Sequence, residues 1–263
     1  MEKFGFIGCG NMGGALAAAV AEKIGGGSIM LSDANRTAAE ALAEKIGASV
    51  SDNLTIASEC DFIVAGVKPQ VCKALYDEIS PVLKSRGDAV IISMAAGIST
   101  DRITDMLGFT MPIIRIMPNL AASVGEGMIL YTSVDTDEET VGVFKSAFSL
   151  CGVTDQIDEK LIDAASAVTG CGPAFVYMFI ESLADAAVRC GIPRSKATLY
   201  ASQTLLGSAK LQLTTGRHPE ELKDAVCSPG GTTIAGVAAL ESGGFRAAVE
   251  DAVSAAYKRT LEL

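Results

Sequence analysis

The sequence lacks the cysteine pairs and the basic clusters that mark several classes of protein. Its seven cysteines, an odd number, are scattered, and no two of them are spaced C-x-x-C. This pattern argues against a disulfide framework and a metal site, and it fits a reducing compartment. The formal net charge is -10, whereas nucleic-acid binding needs clustered lysine and arginine. We therefore predict a cytoplasmic protein that binds no metal and no nucleic acid.

Long apolar runs are also lacking. A membrane-spanning helix needs roughly 20 mainly apolar residues, and the longest candidate run, residues 170–180, stops at Glu181. The apolar start of the chain is broken at once by glycines, and only Lys3 precedes it as a basic residue, which argues against a secretion signal. Hydrophobic residues still make up 49% of the chain. This surplus of apolar residues indicates an interface between subunits of an oligomer, and we expect no membrane partner.

Strand-like and helix-like segments alternate over residues 1–157. The continuously apolar strands indicate a parallel, doubly wound α/β sheet. The helix at 71–83 contains Pro81 near its end, and proline disfavours the interior of a helix. Predicted strands cover residues 4–7, 29–32, 61–67, 89–93, 113–116 and 128–131, and predicted helices cover 11–23, 37–46, 71–83 and 138–150.

Helical spacing takes over in residues 158–263. The segment 161–190 is apolar on nearly every side, and such a helix must be buried on all sides. A domain of this size is too small to cover it alone, so a partner subunit is expected to do so. The other predicted helices cover residues 194–213, 220–226, 233–241 and 246–261.

A glycine motif follows the first predicted strand and opens the first predicted helix. It reads Gly8-Cys9-Gly10-Asn11-Met12-Gly13, and Asp33 follows 20 residues later. This is the fingerprint of a dinucleotide-binding unit, in which the glycines permit a tight turn and close approach to the pyrophosphate. Asp33 is the usual partner of a ribose 2′-hydroxyl and favours NADH, whereas Arg36 is able to meet the 2′-phosphate of NADPH. The choice of coenzyme stays open.

Side chains that transfer protons at neutral pH are few. The only histidine is His218, in a predicted loop, and no Tyr-x-x-x-Lys segment occurs. Reduction of a ketone needs a proton donor for the new alkoxide, but a protonated imine is already electrophilic. Positioning is then the main requirement, so the composition fits an imine substrate better.

The segment Ser228-Pro229-Gly230-Gly231-Thr232-Thr233 is a glycine turn before a predicted helix. Its backbone N–H groups and hydroxyls are suited to hold a small carboxylate. The same pattern is also typical of an ordinary turn in which Thr232 or Thr233 caps the helix. Spacing alone does not decide between these two interpretations.

Several motifs, in order along nearly the whole chain, resemble pyrroline-5-carboxylate reductases. They are the opening Phe6–Met12 stretch FIGCGNM, VKPQ at 67–70, SMAAGI at 93–98, RIMPN at 115–119, GCGPA at 170–174, SPGGTTIAG at 228–236 and ESGGFR at 241–246. Cys171 stands where the family commonly has serine, and Ala225 replaces a residue that is polar in some relatives.

The resemblance implies an α/β Rossmann domain at 1–157 and an all-α dimerisation domain at 158–263. It implies reduction of 1-pyrroline-5-carboxylate to L-proline by NADPH or NADH, the final step of proline biosynthesis, in a homo-oligomer. Thr233 would be the proton-donating hydroxyl, with Ser228 beside it, while Lys68 and Glu159 are further candidates for contacting the substrate. The implied cofactor contacts are Gly8, Cys9, Gly10, Asn11, Met12, Gly13, Asp33, Asn53, Gly66, Val67, Lys68, Pro69, Met94, Ala95 and Ala96. The implied substrate contacts are Pro118, Asn119, Ser228, Gly230, Gly231, Thr232 and Thr233.

Two alternatives remain. A β-hydroxyacid dehydrogenase has a similar opening but places a catalytic lysine on the first long helix of its second domain, and residues 161–190 contain no lysine. A non-catalytic NAD(P) sensor would bind the cofactor without turnover, and the turn at 228–233 would then be structural.

Overall fold

The computed structural model describes residues 2–262, so Met1 and Leu263, the outer ends of the two predicted domains, lie outside the described residues. Contacts divide the chain into two compact units. The first runs to Gly170 and includes the chain again from Arg259, and the second is Cys171–Lys258. The domain boundary predicted after residue 157 stays a prediction.

An eight-stranded sheet forms the centre of the first unit, in the order β3-β2-β1-β4-β5-β6-β7-β8. All neighbours are parallel except β6 and β7, which are antiparallel. The strand order reverses between β1 and β4, and at such a point open α/β sheets bind ligands beyond their carboxyl ends. The strands are β1 Phe4–Ile7, β2 Ile29–Ser32, β3 Ser49–Val50, β4 Phe62–Ala65, β5 Val90–Ser93, β6 Ile113–Met117, β7 Gly127–Val134 and β8 Gly152–Gln156.

Helices cover both faces of this sheet. Successive side chains of a strand point to opposite faces, so Phe6 and Val64 enter one apolar core while Ile63 and Ile91 enter the other. The α/β, mainly parallel fold predicted from the sequence is confirmed. The helices are α1 Asn11–Ile24, α2 Arg36–Ile46, α3 Asn53–Glu59, α4 Pro69–Arg86, α5 Thr100–Leu107, α6 Glu138–Ala147 and α7 Glu159–Thr169.

Helix α4 continues through Pro81 to Arg86 and ends at Gly87, which has a left-handed φ of 76°. A proline inside a helix removes one hydrogen bond, but Ile79 and Leu83 on either side are fully buried. Their burial holds the helix together, so the predicted end at residue 83 was too early.

The second unit contains five helices in the described chain: α8 Gly172–Arg189, α9 Arg194–Thr215, α10 Pro219–Ala225, α11 Thr232–Ser242 and α12 Phe245–Thr260. The single helical segment predicted at 161–190 was wrong, because α7 and α8 are separate and Pro173 stands in the first turn of α8. Proline favours a helix start because it has no N–H to leave unpaired.

The second unit has a thin interior. Its buried apolar cluster consists of Ala184, Ala197 and Ala201. Large apolar side chains such as Met178 and Leu199, 67% and 61% exposed, remain open to solvent on this chain. An apolar surface of this kind marks an interaction site.

By length and composition, one helical stretch within residues 2–262 is apolar enough to cross a membrane. It is Glu159–Arg189, 31 residues long, and its 18-residue apolar window has a mean hydropathy of 1.3 and is 11% buried. The prediction from the sequence considered unbroken apolar runs, whereas this stretch includes the break between α7 and α8. One such stretch is weak evidence for a span, since a core helix of a soluble protein has the same length and composition.

Candidate active site

The glycine loop between β1 and α1 is shaped by close backbone contacts. Gly8 has a φ of +100°, and a Cβ there would stand 2.7 Å from the backbone of Gly66, just after β4. A Cβ on Gly13 would collide with the carbonyl oxygen of Gly8. At Gly10, by contrast, nothing lies within 4 Å of the Cβ position. Two glycines thus permit the tight turn, and the third leaves open space beside the loop.

The amino end of α1 fits an anionic group. Gly10 is the N-cap and offers no side-chain hydrogen bond, and the first turn contains no acidic residue. The first N–H groups of a helix have no partner within it, and the helix dipole makes this end positive. Together with the open space at Gly10, these features fit the pyrophosphate of a dinucleotide.

A cavity of about 670 Å³ opens beside this loop, at the carboxyl ends of β1, β2 and β4. Such a cavity is the expected ligand site of an open α/β sheet. The predicted cofactor residues that line it are Gly8, Gly10, Asp33, Asn53, Gly66, Val67 and Lys68. The other predicted cofactor residues do not line this cavity: Cys9, Asn11, Met12, Gly13, Pro69, Met94, Ala95 and Ala96.

Asp33 is tied to the glycine loop by its carboxylate. Its Oδ2 accepts a hydrogen bond from the backbone N–H of Cys9 at 2.6 Å, and its Oδ1 accepts one from Asn35 at 2.8 Å. The neighbouring thiol of Cys9 donates to the carbonyl oxygen of Ser32. Burial, with the charge of Asp33 next, raises the pKa of Cys9 to about 11. At neutral pH the thiol therefore stays protonated.

Asn53, the first residue of α3, is fixed from two sides. Its Oδ1 accepts from the hydroxyl of Ser32 at 2.7 Å, and its Nδ2 donates to Oε2 of Glu78 at 2.9 Å. Glu78 lies on α4 and lines the same cavity. It was missed from the sequence because a lone acidic residue on an exposed helix face gives no signal.

The loop after β5 lies against the one after β4. A Cβ on Gly66 would stand 3.4 Å from the terminal methyl group of Met94, and Met94 N–H donates to the carbonyl oxygen of Ala65 at 3.5 Å. Ala95 is buried behind it. Met94 therefore stands next to the cavity wall formed by Gly66.

At the end of β6, Asn119 is engaged within the first unit. Its Nδ2 donates to the carbonyl oxygen of Thr169 at 3.0 Å, and its Oδ1 accepts from Met128 N–H at 3.2 Å. Pro118 before it is buried. The Asn119 side chain therefore holds the end of α7 and the start of β7, which the sequence did not indicate.

In the second unit, the predicted substrate turn is a type II turn. Pro229 occupies its second position, Gly230 has a φ of 65°, and Gly231 N–H donates to the carbonyl oxygen of Ser228 at 3.0 Å. Gly231 is the N-cap of α11, without a side-chain capping bond. The interpretation that Thr232 or Thr233 caps this helix was therefore wrong. Ser228, Thr232 and Thr233 are exposed, beside an uncapped helix start.

Comparison with known families matches both parts of the chain. The sequence profile described as pyrroline-5-carboxylate reductase dimerisation matches residues 159–263, and that described as NADP oxidoreductase coenzyme F420-dependent matches residues 3–97. The pyrroline-5-carboxylate reductase of Escherichia coli K12 is 40% identical over 100% of this chain and 98% of its own length.

Solved structures agree with this match. A pyrroline-5-carboxylate reductase from Coxiella burnetii is 30% identical with a TM-score of 0.92, over 99% of this chain and 98% of the other. A Plasmodium falciparum pyrroline carboxylate reductase with NADP bound is 34% identical with a TM-score of 0.85, over 98% and 97% of the two chains.

Proposed function

Because this chain belongs to the pyrroline-5-carboxylate reductase family, we propose that its glycine-loop cavity binds the coenzyme and its turn at 228–233 binds the substrate. The chain is an NAD(P)H-dependent oxidoreductase that reduces the C=N bond of 1-pyrroline-5-carboxylate to give L-proline. The observation that carries this function is the 40% identity to the Escherichia coli enzyme over the whole chain.

The proposed coenzyme contacts follow from the geometry of the first unit. The uncapped start of α1 binds the pyrophosphate, and Asp33 and Asn53 face the adenosine ribose. Lys68, exposed at the start of α4, is a further contact, and the loops at 66–69 and 94–96 bind the nicotinamide half. When bound, NADPH or NADH supplies the hydride.

The proposed substrate contacts lie mainly in the turn at 228–233. The N–H groups at the start of α11 and the hydroxyls of Ser228 and Thr232 bind the carboxylate, since a helix start favours negative charge. The Thr233 hydroxyl donates a hydrogen bond to the ring nitrogen of the unprotonated imine, which must gain a proton as the hydride reaches the neighbouring carbon. Pro118 and Asn119, in the first unit, stay predicted substrate contacts, and the side-chain amide of Asn119 is already engaged within that unit.

The chain forms a homo-oligomer, and we propose that the helical unit supplies the interface. Its exposed apolar side chains and thin interior support this assignment. A cytoplasmic location is proposed as well, because all seven cysteines are free thiols, as is usual in reducing compartments.

The direct test is to follow NADPH and NADH oxidation with 1-pyrroline-5-carboxylate and, in parallel, with its six-membered analogue. We expect turnover with the five-membered imine. Coenzyme binding without turnover on either imine would indicate a sensor instead and would contradict the catalytic assignment.

A further inference from the structure

We infer that the ribose end of the cavity is built for a free 2′-hydroxyl, so that Asp33 and Glu78 make this enzyme select NADH over NADPH. The inference depends on the proposed coenzyme site in the first unit, and it adds a choice that family membership leaves open. The carboxylates of Asp33 and Glu78 and the amide of Asn53 line the same cavity, and each is held by hydrogen bonds.

Asp33 is held in place as an acceptor. Both of its oxygens already accept a backbone N–H, from Cys9 and from Asn35, so the carboxylate is restrained from turning away from the cavity. Each carboxylate oxygen has a second lone pair, which is free to accept a ribose hydroxyl. A 2′-phosphate would bring negative charge against this half-buried carboxylate, and the repulsion is strong where water is partly excluded.

Asn53 is the neutral group that would otherwise donate to a phosphate oxygen. Its Oδ1 is taken by the Ser32 hydroxyl, and one of its two N–H bonds is directed to Glu78. The amide is therefore oriented by a carboxylate that stands in the same cavity lining. Among residues 2–262, no lysine or arginine forms a salt bridge with Glu78, so its charge is uncompensated by a direct partner.

The basic residues at the cavity do not offset the negative charge of Asp33 and Glu78. Arg36 donates from its Nε to Glu40 at 2.9 Å on its own helix, and Lys68 is the other cation in the lining. Asp52 also lines the cavity, where it caps α3 by accepting from Thr55 N–H. Three carboxylates thus face two cations, one of which already has a carboxylate partner.

Asp33 and Glu78 are expected to contribute unequally to the preference for NADH. Asp33 is half-buried, whereas Glu78 is exposed and more strongly screened by water. We therefore expect Asp33 to set most of the preference and Glu78 to add a smaller part. In measured terms, the native chain should bind NADH at least about tenfold more tightly than NADPH, and Glu78 should account for about threefold of that ratio.

The test is calorimetric titration of the full-length chain with NADH and with NADPH, without imine. Asp33→Ser should raise NADPH affinity about tenfold or more and weaken NADH binding. Glu78→Gln should raise NADPH affinity about threefold with NADH affinity within twofold of the native value. Asp77→Asn is the matched control, because Asp77 is a neighbouring acid on α4 that pairs with Lys73 and does not line the cavity.

The possible results distinguish a failure of the coenzyme selectivity from a failure of the proposed coenzyme site. Equal or tighter binding of NADPH by the native chain overturns the selectivity. An Asp77→Asn effect as large as that of Glu78→Gln removes the specific role of Glu78, because general charge then explains it. Failure of the native chain to bind either coenzyme contradicts the proposed coenzyme site itself.

Discussion

The guanidinium of Arg115, on β6, lies with its Nη1 3.0 Å from Oε1 of Glu159, the first residue of α7. Its Nη2 lies 3.1 Å from Asp163, and Glu159 also accepts from the backbone N–H and hydroxyl of Thr100 at 2.8 and 2.7 Å. The Arg115 side chain is only 3% exposed. The group therefore joins β6, α5 and α7, and Glu159 is a structural residue within it.

Removing this arginine should destabilise the first unit. Arg115→Met leaves two partly buried carboxylates without their cation, and breaking a buried ion pair costs about 3 kcal/mol. We expect the free energy of unfolding to fall by about 2–3 kcal/mol, since both carboxylates keep some contact with water. Urea unfolding followed by circular dichroism, at one fixed protein concentration, measures this. Arg102→Met, an exposed position on α5, is the control, and equal losses in both variants would contradict the buried pairing.

Thr233 should affect the chemical step. Thr233→Ala should lower kcat by about a hundredfold, the low end of what general acid catalysis contributes, while Kd for the coenzyme stays near its native value. Thr233→Ser should restore most of the rate because it restores the hydroxyl. The control is Thr215→Ala on α9, whose hydroxyl donates to its own helix. A native kcat for Thr233→Ala would remove this hydroxyl from the mechanism.

Gly231 should set the position of the Ser228 side chain. A Cβ on Gly231 would collide with Oγ of Ser228, which is the end of a side chain and is able to move. Gly231→Ala should therefore raise KM for the imine about tenfold with little loss of stability. Initial rates over a range of imine concentrations measure it, beside Gly142→Ala, where the added Cβ meets open space. If KM stays native in both variants, the Ser228 hydroxyl does not bind the substrate.

Three cysteines should make the fold sensitive to alkaline pH. Burial raises the pKa of Cys9 to about 11 and those of Cys60 and Cys151 to about 12, from an ordinary value of 9.0. A raised pKa means that the protonated thiol is favoured in the folded chain. This contribution is complete below about pH 9 and is lost as pH rises toward the folded pKa values.

The free energy of unfolding should accordingly fall between about pH 9 and pH 11. Cys151→Ala should reduce the slope of that fall, even though the smaller side chain lowers stability at pH 7. Cys190→Ala, at an exposed position, should leave the slope as it is in the native chain. Chemical unfolding at several pH values measures these slopes. If the slope for Cys151→Ala equals that of the native chain, the pKa of the Cys151 thiol does not differ between the folded and unfolded states.

Local patterns predicted the glycine loop and the acid at the end of β2 because both lie in a short stretch of chain. Gly8 and Gly13 make the close backbone contacts that the fingerprint implies, and Asp33 lies beside the loop, where it accepts a hydrogen bond from Cys9 N–H. The position of Glu78 at the site could not be predicted from the sequence, since its hydrogen-bond partner Asn53 lies 25 residues away on another helix. That pairing exists only after α3 and α4 pack together.

Strands and helices were missed where local patterns are weak. The edge strand β8 is mostly polar or exposed, so it has no alternation of apolar residues, and its pairing with β7 comes from the rest of the sheet. The short helix α5 depends on Ser99, which accepts from Arg102 N–H, and on the burial of Ile103 and Leu107. Its eight residues are too few to give a clear period.

Because the core of the helical unit is a small alanine cluster, the melting temperature of that unit should depend on protein concentration. Ala184, Ala197 and Ala201 offer little apolar area, so a lone chain loses little by loosening these helices. Assembly favours only the folded form, and its contribution to the melting temperature shrinks on dilution. In dilute solution the helical unit should therefore melt ahead of the sheet, whereas at high concentration the two should melt closer together.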